Sequence, residues 1–115
     1  MQHMAWDSVK KEIMNDKLWR RVLHGEKITM AQLGLSKDCA VPLHHHENEQ
    51  ISVILQGLLK FNLGGQELLA RGGDVVVIPP NVPHSVLALE DSIAMDVFSP
   101  IRQDWLAGTD NYLRK

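Results

Sequence analysis

Pro42-Leu43-His44-His45-His46-Glu47-Asn48-Glu49-Gln50 is the stretch on which the fold of this 115-residue chain turns. Side chains two apart on an extended strand share a face, so alternation sets His44 beside His46 and turns His45 away. Gln50 falls in step with them. His84 answers from a second segment, Gly73-Asp74-Val75-Val76-Val77-Ile78-Pro79-Pro80-Asn81-Val82-Pro83-His84. Three imidazoles and one carboxamide read as a single metal site split between neighbouring strands. That donor set suits one divalent transition metal ion, Ni, Zn, Mn or Fe, without choosing among them. Glu47 and Glu49 read as solvated charges, Glu49 because it stands one residue out of step with Gln50.

Outward from this stretch, short runs alternate apolar and polar residues. Residues 18–23, 27–35, 42–46, 50–55 and 58–63 read as strands, and Gly64-Gly65 turns the chain into another over 66–70. Residues 74–78 form a continuous apolar run, expected as a strand buried on both faces. Pro79-Pro80-Asn81 must end it, because proline cannot donate to a ladder, and a loop beyond it delivers His84. Residues 85–89 and 93–99 make a last hairpin across Glu90-Asp91. Trp6, Val9 and Ile13 have helical spacing, which predicts a short helix or packed arm over 5–16, and 102–106 predicts a short terminal helix. About nine strands with frequent turns indicate an all-β antiparallel sandwich or barrel, specifically a jelly roll. One domain is expected over 1–115, with an arm at 1–17, the barrel at 18–100 and a C-terminal segment at 101–115.

The net charge of -2 and the lack of a basic run give no support for nucleic-acid or membrane-surface binding, so small molecules are the expected partners. Cys39 is the only cysteine, which rules out an internal disulfide, and it reads as a buried small hydrophobe. Without an apolar stretch resembling a signal peptide or a membrane span, the expected location is cytoplasmic. His3, His24, Lys10-Lys11 and Arg20-Arg21 read as solvated. Trp6, Trp19 and Trp105 read as packing or dimer-contact residues.

A second cluster lies in Met95-Asp96-Val97-Phe98-Ser99-Pro100-Ile101-Arg102. Alternation places Ala94, Asp96 and Phe98 on one face and Ile93, Met95 and Val97 on the other. If the second set packs between sheets or at a dimer contact, Asp96 looks into the barrel. A charge there is costly unless paired or functional, which makes Asp96 a candidate acid or base. The competing reading is an Asp96–Arg102 salt bridge that anchors the C-terminal segment.

The spacing His44-x-His46-x3-Gln50-x6-Gly57 resembles the first cupin motif, and Gly73-x5-Pro79-x-Asn81-x2-His84 resembles the second, together spanning residues 38–88. Asp38 stands where the first motif usually opens with Gly, and Gln50 where Glu is common. Asn81 replaces the Gly of Pro-x-Gly, and Ala88 the closing Asn. With Asp96 to Leu106 added, the chain is similar from about Trp19 to Leu106 to the pectin-degradation cupins that linearise 4,5-unsaturated uronates. The resemblance implies a cupin double-stranded β-helix with the metal on His44, His46, Gln50 and His84. It also implies that Asp96, Phe98 and Arg102 are catalytic or substrate-binding residues, that the substrate is a small anionic sugar, and that the chain forms a homodimer through an edge strand or a swapped arm within 6–23.

The chemistry of such a reaction is compatible with these residues. Four neutral ligands leave the ion close to its full charge for a carboxylate and an enolate oxygen. Asp96 would move the proton, Arg102 would clamp the anion and Phe98 would orient the ring. A lyase or dioxygenase on the same ligands, a non-catalytic sugar-binding cupin and a purely structural metal are the competing readings.

Overall fold

In the computed structural model, which describes residues 1–114, the alternating runs become ten strands. They are β1 (Glu12–Asn15), β2 (Leu18–His24), β3 (Thr29–Leu35), β4 (Ala40–His44), β5 (Glu49–Gln56), β6 (Leu58–Leu63), β7 (Gln66–Arg71), β8 (Val75–Ile78), β9 (His84–Ala88) and β10 (Ser92–Ser99). One sheet has the order β1-β2-β3-β10-β5-β8, and the other β4-β9-β6-β7. All the described pairings are antiparallel. The two sheets face each other as the expected all-β jelly roll. Leu33, Ile54, Leu59, Phe61, Ala88 and Ala94 meet between them in the core. One helix, α1 (Gln103–Ala107), follows β10, and Gly108 ends it in the left-handed conformation that a helix C-terminus favours. Among the described residues, no helix is long and apolar enough to cross a membrane.

The motif positions have backbone reasons. Asp38 (φ 74°) and Asn81 (φ 63°) are the non-glycine residues with positive φ, and they occupy two positions where the cupin motifs place Gly. Asp and Asn tolerate this region better than other side chains because their short polar groups bond locally. Gly57 (φ 96°) has no such latitude, since a Cβ there would also run into Ser92 and the Asp91 carbonyl.

Several expectations are corrected by tertiary context. The N-terminal helix shrinks to a 3-10 turn, Trp6–Ser8, and residues 12–15 instead pair with β2. Period two replaces period 3.6 there, with Met14 buried and Ile13 exposed. The apolar run at 74–78 is not buried on both faces. It forms the sheet's edge strand β8, with Val75 and Val77 57% and 55% exposed, because a run of Val carries no polarity to mark its outer face. His24 is half-buried and bonds Thr29 Oγ1 at 2.8 Å. Arg20 is buried rather than solvated: alternation sends it inward with Leu18, where it meets Asp110 at 2.7 Å and Glu12 at 3.0 Å. Trp19 lies flat over Gly34, its cross-strand partner, on the outer face. Cys39 is buried as expected, and burial pushes its thiol up, away from reactivity.

Candidate metal centre

His44 and His84 are cross-strand partners on β4 and β9. The register passes from Val41–Val86 to His44–His84, so three steps along β4 match two along β9. The extra residue sits at Pro42-Leu43, where proline cannot support the ladder. This bulge turns Val41 and His44 to the same side and leaves Leu43 exposed. Strict alternation through 42–46 is therefore not what orients the site. His84 opens β9 rather than lying in a loop, and His46 reaches in from the turn after β4, held by the Asn81 amide on its carbonyl at 2.8 Å. His45 is exposed, as are Glu47 and Glu49, while Gln50 is buried at the start of β5.

Each imidazole of the cluster is locked in the same way. His44 Nδ1 lies 2.7 Å from the Pro42 carbonyl, His46 Nδ1 3.0 Å from that of Asn48, and His84 Nδ1 2.8 Å from that of Val82. A carbonyl can only accept, so each Nδ1 carries the proton and each Nε2 keeps its lone pair. Burial holds His44 and His46 down to about 4 and lowers His84 as well, so all three rings are neutral at pH 7. Ligand atoms of the three lie within 4.8 Å of one another.

Two features show that this arrangement fits a metal. His84 Nε2 is buried with no hydrogen-bond partner, a costly state for a bare acceptor. His46 Nε2 also faces Gln50 Oε1 at 3.1 Å, and with Nδ1 carrying the ring's only proton these are two acceptors in contact. A shared cation reconciles both. The Gln50 amide is oriented from behind, with its Nε2 donating to Ser52 Oγ at 2.9 Å and to Asp96 Oδ2 at 3.4 Å.

Asp96 and Phe98 alternate inward on β10, as the sequence predicts, and line the same cavity as His44, Gln50 and His84. Burial pushes the Asp96 carboxyl up to about 6, against the Ser52 hydroxyl and the Arg102 charge, which favour ionisation. The cavity is about 50 Å³, room for a few waters. An open cleft of about 460 Å³, lined by His45, Asn48, Asp104 and Thr109, shares His46 with the metal cluster.

Arg102 differs most from its sequence reading. It is 1% exposed, and its partner is not Asp96. Its guanidinium grips Asp104 through Nε (2.9 Å) and Nη2 (2.7 Å), and Nη2 also donates to the Tyr112 hydroxyl at 2.8 Å. Phe98 and Trp105 rings cover it at 4.7 and 4.5 Å, and Trp105 packs on Arg20 as well. The C-terminal anchor exists, but with Asp104 in place of Asp96. Arg102→Ala is accordingly expected to lower stability by about 2–3 kcal/mol, from a broken, largely buried pair and lost packing. Urea denaturation checks this; an unchanged midpoint with a raised KM would return Arg102 to the role of a free substrate clamp.

Asn48, Ser52, Asp104 and Tyr112 belong to this site and escape the sequence reading. Asn48 donates to the carbonyls of Pro100 and Ile101 (2.6 and 3.1 Å), tying the ligand turn to the chain before α1. Ser52 is signalled by parity, two residues after Gln50. Asn48 and Tyr112 carry no such signal, since turn geometry and chain reversal bring them in.

The sequence model of the cupin domain matches residues 35–99, which include all four candidate ligands and Asp96. The chain belongs to the cupin family. This cupin is 26% identical over 103 residues to the pectin degradation protein KdgF of Dickeya dadantii strain 3937, covering 87% of this chain and 94% of that one. Its fold matches that of KdgF from Halomonas sp. with a TM-score of 0.85 and 25% identity, covering 91% and 98% of the two chains. An RmlC-like cupin from Shewanella frigidimarina NCIMB 400 matches as well in shape, with a TM-score of 0.85 over 91% and 96% of the chains at 24% identity, a likeness of fold alone.

Proposed function

We propose that this cupin is a metal-dependent enzyme that converts 4,5-unsaturated monouronates to linear 4-deoxy-5-keto uronates during the breakdown of polyuronides such as pectin or alginate. The observation that carries this reading is an inward carboxyl, Asp96, accepting from the back of Gln50 in a neutral ligand set of three histidines and one glutamine. The relation to KdgF supports the choice of substrate class.

The reaction is an isomerisation. The hemiacetal hydroxyl at C1 loses its proton, the bond from C1 to the ring oxygen breaks, and the oxygen left on C5 becomes an enolate whose C4 takes up a proton. His44, His46, His84 and Gln50 would hold a divalent ion, Ni, Zn, Mn or Fe, which when bound supplies a Lewis acid for the substrate carboxylate and the developing enolate oxygen. Asp96 takes the proton from the hemiacetal and returns it at C4. With its carboxyl near 6, it is a weak enough acid to do both near neutral pH. Phe98, fixed edge-on to His46 and Trp105, forms an apolar wall that orients the ring. Arg102 positions Phe98 and Asp104 rather than gripping the sugar alone. A dioxygenase on the same ligands does not require an acid–base carboxyl, and the relation to KdgF ranks a lyase below the uronate reading.

The test is proton NMR of the product formed from unsaturated galacturonate in deuterated water. The expected result is the linear keto acid with one deuterium at C4. A recovered substrate, or a product of oxidation or elimination, would contradict the reading.

A homodimer is also proposed, but through the outer face of the six-stranded sheet in place of the edge strand or swapped arm expected within 6–23, since residues 12–15 pair with β2 of their own chain. Met30, Ile51, Leu55, Val75 and Val77 are exposed there on neighbouring strands, and a contiguous apolar set of this kind marks an interaction surface. Light scattering at micromolar concentration is expected to give twice the chain mass, and a monomer would contradict it.

A further inference from the structure

The C-terminal segment folds back over the metal centre after α1. A 3-10 turn, Asn111–Leu113, buries Leu113 in the core and lays Tyr112 on His44, ring on ring at 4.4 Å and 26°. The segment is held by the buried Asp110 against Arg20, and by Asn15 Nδ2 donating to the Leu113 carbonyl at 3.2 Å. Tyr112 thereby lines the same cavity as Gln50, His84 and Asp96. Its oxygen accepts from Arg102 Nη2, which leaves the hydroxyl hydrogen free, and among the described residues that hydrogen has no acceptor.

We propose that Tyr112 is a substrate-contacting residue whose hydroxyl donates to a carboxylate or enolate oxygen of the bound ligand, with Arg102 holding and polarising it. Arg102 lines the same cavity but spends its Nε and Nη2 on Asp104 and Tyr112, so its charge acts there both directly and through the phenol it holds. A donor that itself accepts from a guanidinium is strengthened, and donors of this kind favour anions. Tyr112 is therefore an anion-recognising residue, and Arg102 positions it while adding its own charge to the cavity. The uronate assignment rests on the proposed function above, whereas recognition of a carboxylate at this hydroxyl can be read without it.

Oxalate serves as a carboxylate probe that is not a sugar. Tyr112→Phe keeps the ring on His44 and removes only the hydroxyl. In zinc-loaded protein of equal metal content and melting temperature, the variant is expected to bind oxalate about tenfold or more weakly by calorimetry, the worth of one hydrogen bond to a charged group. Tyr112 is the chain's only tyrosine, so a 13C label at its ζ-carbon reports this hydroxyl alone in the unmutated protein. That resonance is expected to shift as oxalate saturates the site. Equal affinity in the variant, an unmoved resonance at saturation, or no oxalate binding at millimolar concentration would each overturn the proposal. An oxalate effect without uronate turnover would keep Tyr112 and discard the uronate. Turnover that Tyr112→Phe leaves unchanged would discard Tyr112 alone.

Discussion

Asp96→Asn is expected to lower turnover of the unsaturated uronate by about a thousandfold or more while the protein keeps its full complement of metal. An amide of nearly the same shape still fits beside Gln50 and Ser52, but it cannot accept the hemiacetal proton, and general acid–base groups of this kind are worth about 10²–10⁴ in rate. The same substitution should improve the metal-free fold above neutral pH. Asp96 has a folded pKa of about 6, raised by burial above its ordinary 3.8. Its contribution to stability is thus fully present below pH 3.8 and is lost as pH rises through 6. Asparagine does not ionise and escapes that loss, which is on the order of 3 kcal/mol. Melting the stripped proteins at pH 4 and pH 8 checks the sign: the variant should gain on wild type only at the higher pH. Wild-type turnover in Asp96→Asn would remove this carboxylate from the mechanism.

Removal of a ligand should have an effect of the same order through a different route. His84→Ala deletes a buried imidazole whose Nε2 has no protein partner, and the two remaining imidazoles and the amide then close only part of the site. Loss of a group behind a ligand commonly costs 10–100-fold in metal affinity. Loss of the ligand itself should exceed about 100-fold, and activity should fall with occupancy. Competition against a chromophoric chelator measures the affinity directly. Added metal should raise the melting temperature of the wild type and hardly move that of the variant, because a ligand stabilises only the state that binds it. An unaltered affinity in His84→Ala would place any metal elsewhere.

The parts of the site legible in the sequence are those written in local spacing. His44, His46 and His84 come together as their frame implies, and Asp96 and Phe98 face inward because parity along β10 is unbroken from Ala94 to Phe98. Residues whose position depends on irregular backbone were not legible. The bulge at Pro42-Leu43 changes the parity of β4 just before the first ligand, so the face shared by His44 and His46 arises from a cross-strand pair and a turn, not from one regular strand. The competing reading of Arg102 as an anchor pairs it with Asp96, six residues back, whereas its carboxylate partner lies two residues ahead, across the start of α1, where alternation no longer applies. Tyr112 arrives by chain reversal, which no periodicity encodes. Residues 12–15 and 75–78 show the same limit for the fold, since a short apolar run acquires its period and its exposed face from the strand it finds as a neighbour.

The most direct test of the account is the rate at which 4,5-unsaturated galacturonate loses the ultraviolet absorbance of its conjugated double bond. It should be measured with metal-loaded protein, with metal-stripped protein and with no protein, because the ring also opens spontaneously. The account predicts a rate well above background for the loaded protein, and a return to background on stripping that is reversed by adding metal. A loaded protein that matches the no-protein control, with alginate-derived as well as pectin-derived substrates and across Ni, Zn, Mn and Fe, would contradict it.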